Sequence, residues 1–518
     1  MAQVNVSPQD LRKLAGVSKE DAIETLTMLG FPTEEMDDGN LDVEVTPNRP
    51  DALCAEGLAR AIAAYKTGKP MKIRIGAPRI DVAVDKSVAD ARPVFCGAVV
   101  RGLEMDEALL RSLMQLQEKL HETLGRKRRK VAIGIHDLDA VSPPFRYFAC
   151  GRSGVSFVPL ERNEKMTPGE ILRKHEKGVS YAHLVGEKCP MIADSQGEVL
   201  SFPPIINGER TKLALKTKNI FIDATGTSDD AVRQAVGIIA AALAFRGGNV
   251  EMISINGKPC RILEETRRAM PLKAAERLLG IKLGKAACAK LLLRMGHAVS
   301  GNSVCVQGYR TDVMSDADLI EDIAIAYGYN NFAPTLPSFP SIGKANPESP
   351  YHEILVGLGF DEAMTWTLSN ERACANALLP ASGAIGIENP LTEDFAIFRK
   401  AILPSLLSVL FESRNEKLPI KLYEIGPVGT PALEKRLAAV SMHPKASFSE
   451  IKGIVLALSD AAGMKIEVRA EDFGPFVPGR CAAIYLDGKR AGFFGEIAPQ
   501  ALSNFSLEQP VCALEMKI

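Results

Sequence analysis

Tyr309-Arg-Thr-Asp-Val-Met-Ser-Asp-Ala-Asp-Leu-Ile-Glu-Asp-Ile-Ala-Ile-Ala-Tyr-Gly-Tyr-Asn330 decides how this chain is understood. Ser315 stands where a helix cap is wanted, and the spacing predicts a helix over 316–327. Leu319, Ile320, Ile323 and Ala324 would form its apolar face. Asp318, Glu321 and Asp322 fall at i, i+3 and i+4, so they are expected on one face, with Asp312 folding back from just before the helix. Carboxylates crowded in this way repel by roughly 0.2–0.5 kcal/mol per exposed pair. A hard divalent cation would remove that repulsion, and all-oxygen ligands favour Mg²⁺ or Ca²⁺ over zinc. The helix dipole alone also favours acidic residues in a first turn, so spacing leaves a solvated turn and a metal site both open.

On either side of this stretch the chain predicts an α+β multidomain protein. Toward the N-terminus, helices are expected over 271–279 and 285–295. The region of ~85–250 mixes strand-like runs (94–100, 131–135, 199–202, 219–222) with helices (107–124, 229–245). The first ~70 residues predict a small α/β unit. It has a strand over 4–6, helices capped by Ser7 and Ser18, a strand over 41–45 and a polar turn Thr46-Pro-Asn-Arg-Pro-Asp51 before an apolar helix. Toward the C-terminus, Phe332–Pro340 is Pro-rich and predicts a linker. Beyond it, helices are expected over 352–358 and 402–411, and strands over 362–368, 420–425, 482–486, 491–496 and 511–517.

Bulk properties narrow the function classes. With 518 residues, several domains are expected. Hydrophobic residues at 46% and charged residues at 24% give an ordinary globular composition. A net charge of −1 excludes a surface that is basic throughout, so any RNA contact must be local or shared with a partner. The ten cysteines contain no CxxC pair, which removes the usual zinc spacing and fits free thiols in a reducing cytoplasm. No signal peptide and no membrane span is expected.

The opening stretch resembles the signature of the phenylalanyl-tRNA synthetase β subunit, with R-x-D, D-x-x-E-[DE] and a Y-G-Y/F-N ending. Other segments resemble the same family in the same order. They are Thr46–Arg60, Val131–Asp139 with Leu200–Gly208 and Phe221–Thr227, Ile387–Thr392 with Arg399–Leu407 and Leu422–Ile425, then Pro478–Arg480 and Gly495–Pro499. The bacterial form carries extra domains for which this chain is too short, so the resemblance implies the archaeal/eukaryotic type. It implies a B1-like domain (1–75), a B3/B4 tRNA-editing-like domain (85–252) and a B5 domain (255–335) of winged-helix-like fold, as in DNA-binding proteins. A class II synthetase-like antiparallel sheet domain, catalytic-like but inactive (345–518), completes the set. It also implies Mg²⁺ ligands at Asp312, Asp318, Glu321 and Asp322, a structural ion near the subunit contact. The implied partners are an α subunit in an (αβ)₂ tetramer, tRNA(Phe) and ATP, the ATP bound mainly by the α subunit. No membrane partner is implied.

Two chemistries can be weighed on residues. Class II activation needs arginines that grip ATP phosphates bidentately. In Lys421-Leu-Tyr-Glu-Ile425 a Tyr stands where such an Arg belongs, and no G-x-G-x-x-x-R run closes the chain, so no aminoacylation residues are expected. The second is editing: a pocket built for Phe rejects an added hydroxyl only modestly, so Tyr errors call for hydrolysis at a second site. The candidates are Ser201, Glu209, Asp223 and Thr225, although Asp223 and Thr225 could equally build the turn at Gly226. His136 could be chemical or simply a satisfied histidine at a strand end. Arg126, Lys127, Arg128, Arg129 and Lys130 form the one dense basic run, either a solvated face or a tRNA phosphate contact. Two alternatives to a synthetase subunit are a free-standing mischarged-tRNA hydrolase, which would need only ~85–250, and a non-catalytic RNA-binding scaffold.

Overall fold

A computed structural model describes residues 2–336, 343, 349–429, 433–463 and 465–518. The chain divides into two compact units, 1–336 and 337–518. The expected linker falls at this division; its part from 337 to 340 lies outside the described residues.

The first unit starts with a three-stranded sheet in the order Ala2–Val6, Leu41–Val45, Thr33–Glu35. Strand Leu41–Val45 alternates buried and half-buried positions, so Val43 and Val45 join the core that also holds Leu58 and Ile62 of the helix Ala55–Thr67. The centre of the unit is a five-stranded sheet: Ile75–Gly76, Asn249–Met252, Val94–Arg101, Ile220–Gly226 and Val131–Asp137. Helices Glu107–Glu122 and Asp229–Phe245 pack on it. Strand Ile220–Gly226 is buried at every position, Asp223 and Thr225 included. A second sheet of seven strands carries Val199–Phe202 and Cys189–Ala193. Helices Leu272–Leu279, Gly284–Arg294 and Asp316–Tyr327 then surround a small sheet of Thr266–Ala269, Ser303–Val306 and Ala298–Ser300. One apolar core runs from Val4 through the central sheet to Ala326, so it is continuous across the expected boundary near residue 75.

The second unit is a seven-stranded sheet ordered Asp361–Glu362, Ile420–Gly429, Leu433–Met442, Val511–Lys517, Lys489–Ile497, Phe476–Leu486, Ile466–Ala470. All pairs are antiparallel except the first, which is parallel. Helix Leu403–Glu412 joins one core on this sheet, and Phe448–Ala461 joins another. Two expectations change. The strand expected over 362–368 is only two short pieces, Asp361–Glu362 and Leu368–Ser369, with Met364 and Trp366 exposed between them. Strand Leu433–Met442 and helix Phe448–Ala461 were not anticipated.

Candidate functional site

Strands Val131–Asp137 and Ile220–Gly226 pair antiparallel, with Gly134 opposite Asp223 and His136 opposite Phe221. This register places two candidate groups together. Asp223 Oδ2 lies 2.7 Å from His136 Nε2, and His136 Nδ1 lies 2.8 Å from Thr211 Oγ1. His136, Thr211 and Asp223 are all buried. Gly134 makes the pair sterically feasible: a Cβ there would stand 2.1 Å from Asp223 Oδ2 and 2.6 Å from His136 Nε2.

Asp223 and Gly134 form part of the wall of a cavity of about 260 Å³. Ser201, Phe202, Ile205 and Asn207 line it from the seven-stranded sheet and its turn, and His121 and Arg128 line it from helix Glu107–Glu122 and the loop after it. Ser201 Oγ is buried without a hydrogen-bond partner. Leaving such a group unpaired costs about 1–3 kcal/mol, so the cavity is chemically poised to receive a polar atom. An apolar wall with a few convergent polar groups is the usual form of a small-molecule subsite.

The other two editing candidates do not join them. Thr225 Oγ1 accepts from Arg92 Nε at 3.2 Å and its carbonyl from Arg92 Nη2 at 2.7 Å, so Thr225 fixes the strand end. Glu209 accepts from the Glu161 amide at 2.7 Å and stands 3.6 Å from Lys212, and it does not line the cavity. In the basic run, Arg126, Lys127 and Arg129 are exposed and Lys130 is half-buried. Arg128 is not an outward contact. Positive φ at Arg126, Lys127 and Arg128 turns the loop inward, and Arg128 Nη1 donates to Ile205 O at 2.9 Å. Nothing in the run of five basic residues marks Arg128 as the one that turns inward, and no sequence pattern singles out His121. Gly134 carried a readable signal, since a glycine inside a strand marks a close approach.

The acidic stretch keeps its helix and parts its carboxylates. Helix Asp316–Tyr327 forms as expected, but its carboxylates do not surround a common point. Asp312 and Asp322 both accept from Arg310, whose Nη2 is 2.7 Å from Asp312 Oδ2 and 2.9 Å from Asp322 Oδ2. Asp322 also meets His297 Nε2 at 2.6 Å. Asp318 instead accepts from the Met314 and Ser315 amides, at 2.8 and 2.6 Å, and so caps the helix. Glu321 is exposed. Among the described residues, no group of three or more His, Cys, Asp or Glu is arranged to hold a metal ion. The four residues as placed do not fit the ion, because a buried guanidinium already neutralises two of them. Burial opposes the charge of Asp322, but Arg310 and His297 outweigh it and hold its carboxyl at about 2. Burial pushes the His297 imidazole down more than Asp322 raises it.

In the second unit, Tyr423 is buried, its hydroxyl 3.0 Å from His352 Nδ1. Arg399 is buried too and paired with Glu424 at 2.6 Å. A cavity of about 360 Å³ lies on this sheet, lined by Glu434, Arg436, Phe473, Arg490, Phe493 and Glu515 among others. Its cations are already engaged: Arg436 with Glu434 and Glu515, Lys517 with Glu434, and Arg490 with Glu471.

Comparison with known proteins gives these features a family. Residues 111–240 match the B3/4 domain, 269–329 the tRNA synthetase B5 domain, and 335–518 the phenylalanyl tRNA synthetase beta chain CLM domain. A B3/4 cavity, a B5 helix module and a synthetase-like sheet, in that order, define a subunit of an aminoacyl-tRNA ligase. The chain is 38% identical to the phenylalanine–tRNA ligase β subunit of Methanothrix thermoacetophila, covering 100% of both chains. It is 37% identical to that of Archaeoglobus fulgidus, covering 100% of this chain and 98% of the relative. The solved N-terminal fragment of the phenylalanyl-tRNA synthetase β subunit from Pyrococcus horikoshii superposes with a TM-score of 0.59 at 34% identity, covering 63% of this chain and 99% of the fragment. The chain belongs to the phenylalanine–tRNA ligase β-subunit family.

Proposed function

We propose that this β subunit assembles with an α subunit, as an (αβ)₂ tetramer, into an enzyme that attaches phenylalanine to tRNA(Phe) using ATP. Its own chemistry is the hydrolysis of Tyr-tRNA(Phe) in the cavity of Ser201 and Asp223. The observation that carries this is the unpartnered Ser201 Oγ, buried in the wall of the cavity that Asp223 also lines. A tyrosyl ring would meet Phe202 and Ile205, and its phenol hydroxyl would satisfy Ser201. The free Asp223 oxygen, Oδ1, would hold a water or the substrate's ammonium group, while His136 fixes Oδ2. In the reaction a water oxygen bonds to the ester carbonyl carbon, the bond to the ribose oxygen breaks, and the proton ends on that ribose oxygen. Thr225 and Glu209 hold the neighbouring backbone.

In the assembled enzyme, Asp223→Ala is expected to slow deacylation of Tyr-tRNA about a hundredfold, the lower range for a positioned acid–base group. Release of labelled tyrosine measures it, and an unchanged rate removes Asp223 from the site. ATP and the Mg²⁺ on its phosphates are proposed to bind mainly on the α subunit, since the cations lining the second unit's cavity are paired. The purified chain alone is therefore expected to make no phenylalanyl-adenylate; pyrophosphate exchange at the level of the complete enzyme would refute that. Arg126, Lys127, Arg129 and Lys130 are proposed to meet tRNA phosphates from outside.

A free-standing hydrolase is disfavoured, because ~85–250 would suffice for it and the synthetase-like sheet would have no purpose. A non-catalytic scaffold is disfavoured by the Ser201–Asp223 cavity. A cytoplasmic location is proposed from the family, and no helix among the described residues is long and apolar enough to cross a membrane. The four parts 1–75, 85–252, 255–335 and 345–518 are proposed as the functional division.

A further inference from the structure

Cys96 and Cys260 stand 164 positions apart in the chain, yet their sulfur atoms are 3.1 Å from each other. That is about 1 Å beyond the ~2.05 Å of a disulfide bond. Both side chains are buried. Cys96 lies on strand Val94–Arg101 of the central sheet, opposite Ala224 of strand Ile220–Gly226. Successive strand residues face opposite sides of a sheet. Asp223, opposite Gly97, lines the cavity, so Cys96 faces the other side, where Asp229 and Arg233 of helix Asp229–Phe245 bear on both thiols. Cys260 follows the short exposed strand Lys258–Pro259 of the other sheet, and its amide donates to Ile253 O at 2.8 Å. From there the chain runs on toward the B5 match, which begins at residue 269. The surroundings differentiate the two sulfurs. A hydrogen bond from Cys96, the Gly97 amide and the Arg233 guanidinium hold the Cys260 thiol below its ordinary range, against the opposing effect of burial. The same bond and burial push the Cys96 thiol up. A thiolate in contact with a thiol is the reactive form of a disulfide-forming pair. The strand partners Cys150 and Cys189 lack this asymmetry, since burial pushes both of their thiols up.

We propose that Cys96 and Cys260 are a site of reversible disulfide formation, a covalent joint between the central sheet and the segment that leads into the B5 helices. The oxidant is a hydroperoxide. The Cys260 thiolate attacks a peroxide oxygen, the O–O bond breaks, and the departing oxygen takes a proton and leaves as water or an alcohol. Cys96 then attacks the Cys260 sulfenic acid: the S–S bond forms, the S–OH bond breaks, and the hydroxide leaves with the Cys96 proton as water. The two thiols lose two electrons, and the peroxide gains them. Lys258, Pro259 and Arg261, on either side of Cys260, are exposed, so a local opening of this segment admits the peroxide. The bond closes a long loop and so acts mainly by restricting the unfolded chain. Because Cys96 faces away from Asp223, the joint leaves the cavity as it is.

The test treats the reduced full-length chain with hydrogen peroxide, blocks the remaining thiols and maps the peptides by mass without reduction. The expected product joins Cys96 to Cys260 and consumes two of the ten thiols. The melting midpoint should rise by about 5 °C, the effect of a disulfide across a long loop in a chain of this size, and return on reduction with dithiothreitol. Tyr-tRNA deacylation by the assembled enzyme should stay unchanged. Cys96→Ala and Cys260→Ser should each abolish the joined peptide and the rise in midpoint. Cys260→Ser alters the segment beside exposed residues and keeps the test sound if Cys96→Ala disturbs the sheet. A product joining Cys150 to Cys189 with Cys96 left free, or Cys260 oxidised to a sulfinic acid with no cross-link, overturns the pair. A joined peptide without a rise in midpoint overturns the joint, and a change in deacylation that Cys260→Ser prevents overturns its separation from the cavity.

Discussion

Arg310→Met is expected to destabilise the first unit by about 3–5 kcal/mol, the cost of breaking a buried ion pair from one side. Arg310 is 5% exposed and Asp322 3%, so neither charge has water to fall back on. Arg310 makes fork-shaped contacts to Asp312 and further bonds to Asp322 and to the Met295 carbonyl. A neutral side chain of similar length fills the volume but strands two carboxylates. Urea denaturation of the full-length chain measures the change, and a loss below about 1 kcal/mol would show that the pairs are incidental. The same cluster sets an acid limit. Asp322 has a folded pKa below its ordinary value of about 3.9, so its stabilising effect is complete above that value and is lost as pH falls toward 2. His297 is lowered as well, so the unfolded chain takes up a proton near pH 6.5 that the folded one refuses. Both act in one direction: wild-type stability falls as pH drops from about 7, and Arg310→Met should lose much of the step near pH 4.

Gly134→Ala is expected to cut Tyr-tRNA deacylation about a hundredfold or more while leaving phenylalanine charging intact. The added methyl would stand within 2.1 Å of Asp223 Oδ2, so the carboxylate must rotate away from His136. Inserting a methylene-sized group into a packed core costs about 1–3 kcal/mol, which a unit with so large a core should survive. Deacylation, charging and melting temperature measured on one preparation separate the effects. Normal deacylation in a folded Gly134→Ala enzyme would mean that the placement of Asp223 is unimportant to hydrolysis.

Much of this architecture was legible because the apolar periodicity is strong. Asp229–Phe245, Asp316–Tyr327 and Val511–Lys517 have the bounds their patterns suggest. Leu433–Met442 escaped notice because its first half, Leu-Glu-Lys-Arg, is charged. Glu434 and Arg436 line a cavity while the second half is core. The stretch 362–368 alternates like a strand but leaves Met364 and Trp366 in solvent. Ser201 and Asp223 were readable as residues, whereas His136 could be joined to Asp223 only through the strand register, 87 positions away. The partners of the acidic helix were not legible for a local reason. Asp322 lies three residues after Leu319 and one before Ile323, on the inward side, so it meets Arg310 and not Glu321.

The continuous core has a consequence for ancestry and for dissection. Arg246, at the end of the longest helix of the central sheet, grips Asp10 and Glu56 of the N-terminal part at 2.6 and 2.7 Å. Strand Ile75–Gly76 pairs with Asn249–Met252 across 170-odd positions of chain. Cutting the polypeptide near residue 80 would therefore orphan two carboxylates, a guanidinium and a sheet edge at once. The segments a sequence divides so readily share one fate on unfolding, and recombination between relatives should have carried them as a set.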